Sequence, residues 1–166
     1  MILGIDIMRF ENDIVFVISE DLISIFDKCI EKAHPNEACG FIFGTIQEIN
    51  DNGNFKYRYY SKIFQCIESS MSSPASFLMD NDKKLLESNI ISKKKGQKLL
   101  AIFHSHPTGA HPSSIDKKYM KYYHNCGIKK FTHLIWIIID SKNKHINGFI
   151  YLDNKLTQIS IEVSKD

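Results

Sequence analysis

Arginine is scarce in this chain: of 21 basic residues only two, Arg9 and Arg58, carry a guanidinium. Bidentate recognition of phosphate and guanine leans on arginine, so a nucleic-acid partner is not expected. A net charge of +2 leaves no basic footprint for one either. The densest basic run, Lys93-Lys94-Lys95, reads as a solvated loop. Four prolines and eight glycines are too few for a collagen-like or linker-dominated chain. No apolar run approaches the roughly 18 residues that mark a membrane span. The opening Met1-Ile2-Leu3-Gly4-Ile5-Asp6 has no basic n-region and breaks off at Asp6 and Arg9, so no secretory signal is expected. The cysteines, Cys29, Cys39, Cys66 and Cys126, form no CxxC pair. These absences together predict a cytoplasmic protein with reduced thiols.

What remains is a chain able to build a core. It has 166 residues, 43% of them apolar, and shows no repeat, low-complexity tract or linker. One domain over 1–166 is expected, burying about 70% of its unfolded surface.

Residues 13–18 read as a strand. Ser19 is placed to cap a helix running to about Ala33, with Leu22, Phe26, Cys29, Ile30 and Ala33 on one face. His34-Pro35 ends it, because the residue before proline disfavours helical backbone. Gly40-Phe41-Ile42-Phe43-Gly44 opens a second strand. Asp51-Asn52-Gly53-Asn54 is a turn signal, and residues 55–60 return as the partner strand. Residues 61–76 carry no clear pattern. A helix is expected over about 78–92, with Leu85, Leu86, Ile90 and Ile91. Residues 98–105 read as a buried strand running into a histidine cluster. A third helix should start near Ser113 or Ser114 and end at Gly127. Strands at 131–140, 145–152 and 156–163 complete the order. Hairpin-linked strands mixed with separate helices predict an α+β domain, an α/β sandwich, rather than repeated βαβ winding.

The chemistry concentrates in His104-Ser105-His106-Pro107 and Ser113-Ser114-Ile115-Asp116. Residues two apart on a strand point to the same side, so His104 and His106 present both imidazoles to one spot. Asp116 lies ten residues beyond His106, where the first turn of a helix is expected, and a loop with Gly109 and Pro112 folds it back. Two histidines and one carboxylate are three ligands of a catalytic zinc site, with the fourth position left to water. A hydrolase of this kind needs a general base, and Glu37 is the candidate, just after the helix stop. His111, His124 and His133 carry no such spacing and read as surface or strand residues. Cys39 reads as a small buried residue and Trp136 as core.

Pro35-Asn36-Glu37-Ala38-Cys39-Gly40-Phe41-Ile42-Phe43-Gly44 resembles the ExCGxxxG-type opening of the JAMM (MPN+ or JAB) metalloprotease family. His104-Ser105-His106-Pro107 with Ser113-x-x-Asp116 resembles its metal signature, and the likeness runs through nearly the whole chain. It implies a mixed, curved β-sheet with flanking helices, of the cytidine-deaminase-like type. It implies that His104, His106 and Asp116 bind Zn²⁺, that Glu37 is the general base and acid, and that Ser113 helps hold the oxyanion. The loop between His106 and Ser113 is one residue shorter than the family's common spacing, and Ser114 is the alternative for the serine role.

The implied activity is that of an isopeptidase cutting after the Gly-Gly tail of ubiquitin or a ubiquitin-like modifier. Residues 61–77 and the segment after Asp116 are the expected walls of the tail channel. Peptidase processing of a small sulfur-carrier protein and a non-catalytic MPN interaction module are the alternatives. The compact form is similar to stand-alone prokaryotic members. A homodimer or a second MPN-type partner stays open, and Tyr57, Tyr59 and Tyr60 form either an interface patch or the outer face of a hairpin.

Overall fold

A computed structural model describes residues 13–67, 90–91, 93–125, 133–152 and 155–165. Strand β1 (Ile14–Ser19) leads directly into helix α1 (Glu20–Ala33). Ser19 is extended and its hydroxyl accepts from the Leu22 amide at 3.2 Å, pairing one of the donors that a helix start leaves unsatisfied. Leu22, Phe26, Cys29 and Ile30 bury one face of α1, as their spacing predicts. The helix stops where expected. The His34 amide bonds back to Ile30, and the His34–Pro35 peptide is cis.

Strands β2 (Cys39–Asp51) and β3 (Asn54–Ile67) form a long hairpin. Its two turn residues, Asn52 and Gly53, have φ of 52° and 87°, the doubly left-handed backbone that a two-residue hairpin turn demands. β3 continues to Ile67, through the first part of the stretch that carried no pattern. A register shift falls at Phe43/Gly44. There a side chain on Gly44 would run into the Tyr60 carbonyl, so glycine lets the strands close up. β4 (Lys98–His106), helix α2 (Ser114–Asn125), β5 (Ile135–Asp140), β6 (Ile146–Leu152) and β7 (Lys155–Ser164) follow. The helix expected over 78–92 lies almost wholly outside the described residues.

The strands pair in the order β1-β3-β2-β4-β5-β6-β7, and β1 also pairs with β7, which closes the sheet. The sheet is mixed, as expected for an α+β domain, and it is closed, a feature that the expected α/β sandwich did not include. β1 runs parallel to both of its neighbours, a long-range closure that local patterning does not encode. β4 and β5 are also parallel, and α2 lies in the crossover that such a pair requires. The β5 strand begins at Ile135 rather than at 131. His133, just before it, has a left-handed backbone with φ of 65°, and its carbonyl accepts from the Tyr59 hydroxyl at 3.1 Å.

Apolar residues fill both faces of β2, β4 and β5. One core gathers Ile42, Ala101, Phe103, Ile135 and Ile137 with Leu22 and Phe26 of α1. The other gathers Phe41, Phe43, Ile102, Trp136 and Ile138 with Met120 and Tyr123 of α2. Strands covered on both faces read as unbroken hydrophobic runs, which is why residues 98–105 and 135–139 lack alternation. Tyr59 belongs to the first core, so the patch foreseen around Tyr57, Tyr59 and Tyr60 loses its middle member. No described helix is long and apolar enough to cross a membrane.

The expectation of reduced thiols fails for two of the four cysteines. Cys29 on α1 and Cys66 on β3 form a disulfide, with Cα atoms 5.9 Å apart and a sequence separation of 37. The missing CxxC signal says nothing about a pair brought together by helix packing on a sheet. Cys39 is free and buried. Cross-linking over that separation stabilises by about 4 kcal/mol in the chain-entropy account. Thermal unfolding of a Cys29→Ala/Cys66→Ala variant should therefore show a Tm lowered by roughly 10 °C. Reductant should lower the native protein comparably and leave the variant unchanged.

Candidate metal centre

The centre is assembled at the C-terminal end of β4. His104 and His106 share the face that carries Ile102, so both imidazoles turn toward α2. Between them, Ser105 faces the other way and fastens the chain that carries Glu37. Its hydroxyl accepts from the Ala38 amide at 2.8 Å, and its own amide donates to the Ala38 carbonyl at 2.9 Å. Cys39 pairs with His104 across β2 and β4. Glu37, two residues earlier, therefore stands beside the histidines.

Ser113 and Asp116 form a reciprocal cap at the start of α2. The Asp116 amide donates to Ser113 Oγ at 3.1 Å, and the Ser113 amide donates to Asp116 Oδ2 at 2.8 Å. This is capping-box geometry with aspartate in the acidic role. It turns the Asp116 carboxylate back over the helix N-terminus and toward β4. Ser113 is exposed while Asp116 is buried.

Three donor atoms converge. His104 Nε2 and His106 Nε2 are 3.0 Å apart, and Asp116 Oδ2 lies 3.3 Å from the first and 3.0 Å from the second. Ligands bound at about 2.0–2.1 Å to one tetrahedral ion stand roughly 3.3 Å apart, so this triangle fits a metal of that size. The donor set, two imidazoles and a carboxylate, is also one that zinc accepts. His104 Nδ1 is buried without a hydrogen-bond partner among the described residues. Leaving such a group unpaired is costly, and that cost is typically tolerated at functional sites.

Two carboxyls in one site are driven apart. Burial pushes Asp116 up, but its bonds to His104 and His106 outweigh that and hold it well below the usual carboxylate range. Burial likewise lowers His104, against the pull of Asp116. The bond to Asp116 raises His106 in spite of burial. Glu37 is pushed up to about 7 by burial, with His106 opposing and Asp116 reinforcing the shift, and its Oε2 has no partner among the described residues. Such a split separates an ionised ligand from a group able to exchange a proton near neutral pH. Glu37, His106, Thr108, Ser113, Ile115 and Asp116 line one cavity of about 290 Å³.

The short loop between His106 and Ser113 is anchored from beneath. Asp140, at the end of β5, accepts from the Gly109 amide at 2.7 Å through one oxygen. Its other oxygen accepts from Lys142 and Asn143 at 2.8 and 3.2 Å. These donors hold its pKa below the usual range. Asn147 donates to the Ala110 carbonyl at 2.9 Å, and the Ser141 amide donates to the His106 carbonyl at 2.8 Å. The loop is therefore shortened without losing the ligand.

Ser105, Asp140 and Asn147 escape the sequence reading. The one visible signal is Asp140 as the single charge closing the run 134–140. Ser114 is exposed and does not line the cavity; Ser113 does. His111 is exposed with its ring 6.2 Å from that of Phe149, apart from the triad. Cys39 is buried and Trp136 is core, both as read from the sequence, and burial pushes the Cys39 thiol up.

Metal retention follows from this geometry. After dialysis against a divalent metal and then buffer, elemental analysis should find the ion in the native protein and in Glu37→Ala. It should be absent from His106→Ala and Asp116→Ala. Asp140→Asn, which disturbs only the loop anchor, should weaken retention by about tenfold, the lower end of what indirect supports of a metal site contribute.

The sequence matches the family described as prokaryotic homologs of the JAB domain over residues 19–149. None of the curated proteins matches it significantly. A solution structure of a protein from Desulfitobacterium hafniense is similar at a TM-score of 0.65 and 22% identity, covering 92% of this chain and 94% of the other. A crystal structure of a JAB1/MPN domain protein from Archaeoglobus fulgidus is similar at a TM-score of 0.50 and 15% identity, covering 88% and 96%. At these identities the likeness concerns the fold. With the family match spanning most of the chain and the convergent His104, His106 and Asp116, the chain belongs to the prokaryotic JAB domain family.

Proposed function

We propose that this protein is a zinc-dependent isopeptidase that hydrolyses the amide bond after the Gly-Gly tail of a ubiquitin-like modifier. The convergence of His104, His106 and Asp116, the last two lining a cavity together with Glu37, is the observation that carries this reading. Zinc, when bound, supplies Lewis-acid polarisation of a water and of a carbonyl. Everything else is the work of the chain's own residues.

Asp116 stays ionised and orients both imidazoles. Glu37, half-buried with an unpartnered Oε2, takes a proton from the attacking water and returns it to the departing nitrogen. Ser113 Oγ already accepts from the Asp116 amide, so its hydroxyl hydrogen is free to donate to the carbonyl oxygen as charge builds there. The small cavity favours a tail without side chains, and an extended tail binds by main-chain hydrogen bonds. A non-catalytic role sits poorly with a full ligand set beside a carboxyl poised near neutrality.

A panel of isopeptide-linked and linear di-ubiquitins tests this, with bound zinc verified in each protein. The native protein should cleave. Glu37→Ala should keep zinc and lose about 10²–10⁴-fold in rate. Full activity in Glu37→Ala would overturn the assignment. No cleavage by zinc-loaded native protein would move the substrate to another Gly-Gly protein, such as a small sulfur carrier. Ser113→Ala should lower turnover by about 10²–10³-fold with zinc retained, and lose about 1 kcal/mol of stability as a helix cap.

A further inference from the structure

A second cavity, of about 520 Å³, lies on the far side of Glu37. Its size is within the roughly 300–1,000 Å³ of ligand sites. Glu37 and Pro107 line both this cavity and the metal cavity. The two are thus halves of one cleft, and Glu37 stands at its waist.

The chemistry assigns a direction to the halves. The carbonyl that is attacked must meet the metal ligands and the Ser113 hydroxyl. His106, Ser113 and Asp116 line only the smaller half. The departing nitrogen must meet Glu37, which lines both. The chain on the leaving side therefore continues past Glu37 into the larger half.

Ile30, Pro35 and Pro107 give that half an apolar wall, and Lys142 and Lys144 stand at its mouth with Glu31 opposing them. Lys144 is engaged by Asp27 at 3.5 Å. Lys142 makes no ion pair within 4 Å among the described residues, and the one carboxylate it interacts with, Asp140, is already bonded to the Gly109, Lys142 and Asn143 amides. The Lys142 amide donates to Asp140 Oδ1 at 2.8 Å, which holds its backbone in place, and the residue lines the cleft.

We propose that this larger cavity is the leaving-side subsite and that it selects an acceptor lysine flanked by acidic residues. The proposal rests on the amide-hydrolase reading above. The methylene stem of a lysine lies well on an apolar wall while its nitrogen stays polar, here directed at Glu37. Carboxylates on either side of that lysine complement Lys142. Opposite charge at such a mouth acts mainly on partner choice.

The test is binding rather than turnover. Zinc-loaded protein, followed by backbone amide shifts, is titrated with acetyl-Glu-Lys-Glu-amide and with acetyl-Arg-Lys-Arg-amide. The acidic peptide should give saturable shifts at His34 and Ser141 through Lys144, and bind at least fivefold more tightly than the basic one. Lys142→Glu should reverse that order. Equal affinity for the two peptides, shifts confined to the Ser113 side, or no saturable shift would overturn the proposal. Cleavage of di-ubiquitin by a protein whose larger cavity ignores the peptides would sink this inference alone. Peptide binding here without cleavage of any conjugate would sink the hydrolase reading alone.

Discussion

One carboxylate oxygen, Asp116 Oδ2, faces three nitrogen atoms at once. The Ser113 amide reaches it at 2.8 Å, His106 at 3.0 Å and His104 at 3.3 Å. Burying a carboxylate is expensive unless its charge is satisfied. Here the helix N-terminus, the cap amide and two imidazoles all oppose that cost. The same contacts that make the burial tolerable also set where α2 begins and how close it comes to β4. Helix position, loop length and metal geometry are therefore a single constraint.

That constraint has to be met by a loop with little slack. Six residues join His106 to Ser113, and Gly109 takes a φ of 83° to make the turn. A chain this short could hold Asp116 in more than one place if it were tied only at its ends. Asp140 and Asn147 remove that freedom by holding the amide of Gly109 and the carbonyl of Ala110. Asn147 is itself held by Gln158 at 3.3 Å, so the support reaches back to β7. Rigid supports of this kind keep a site within the tolerances that its chemistry requires.

The parts of this arrangement legible in the sequence are those with short reach. The Ser19 cap, the stop at Pro35, the Asn52-Gly53 turn and the two-residue spacing of His104 and His106 each follow from chemistry within a few positions. Ser113-x-x-Asp116 is legible for the same reason, since a capping box is local. The closure of the sheet by β1 is not, because it joins strands separated by most of the chain. Nor is the Cys29–Cys66 disulfide, which depends on where α1 lands. Ser105 and Asp140 were visible as residues, but their partners, Ala38 and Gly109, are neighbours only after folding. Tyr59 shows the opposite error, since an aromatic on a hairpin looks exposed until the strand across from it is known.

Strand pairing has a consequence for the chemistry as well. Because β2 and β4 are antiparallel neighbours, the start of one strand lies beside the end of the other. The segment carrying Glu37 and the segment carrying the histidines therefore meet without any long loop between them. Ser105 ties the junction through two bonds to Ala38. The two carboxyls then differ only in what surrounds them. Asp116 is surrounded by donors and stays charged. Glu37 has a buried oxygen with no donor, and its pKa rises to about 7. Moving any of those donors toward Glu37 would lower its pKa, as they do for Asp116. The unpaired oxygen thus keeps a carboxyl of raised pKa next to a donor triangle that could hold a metal ion.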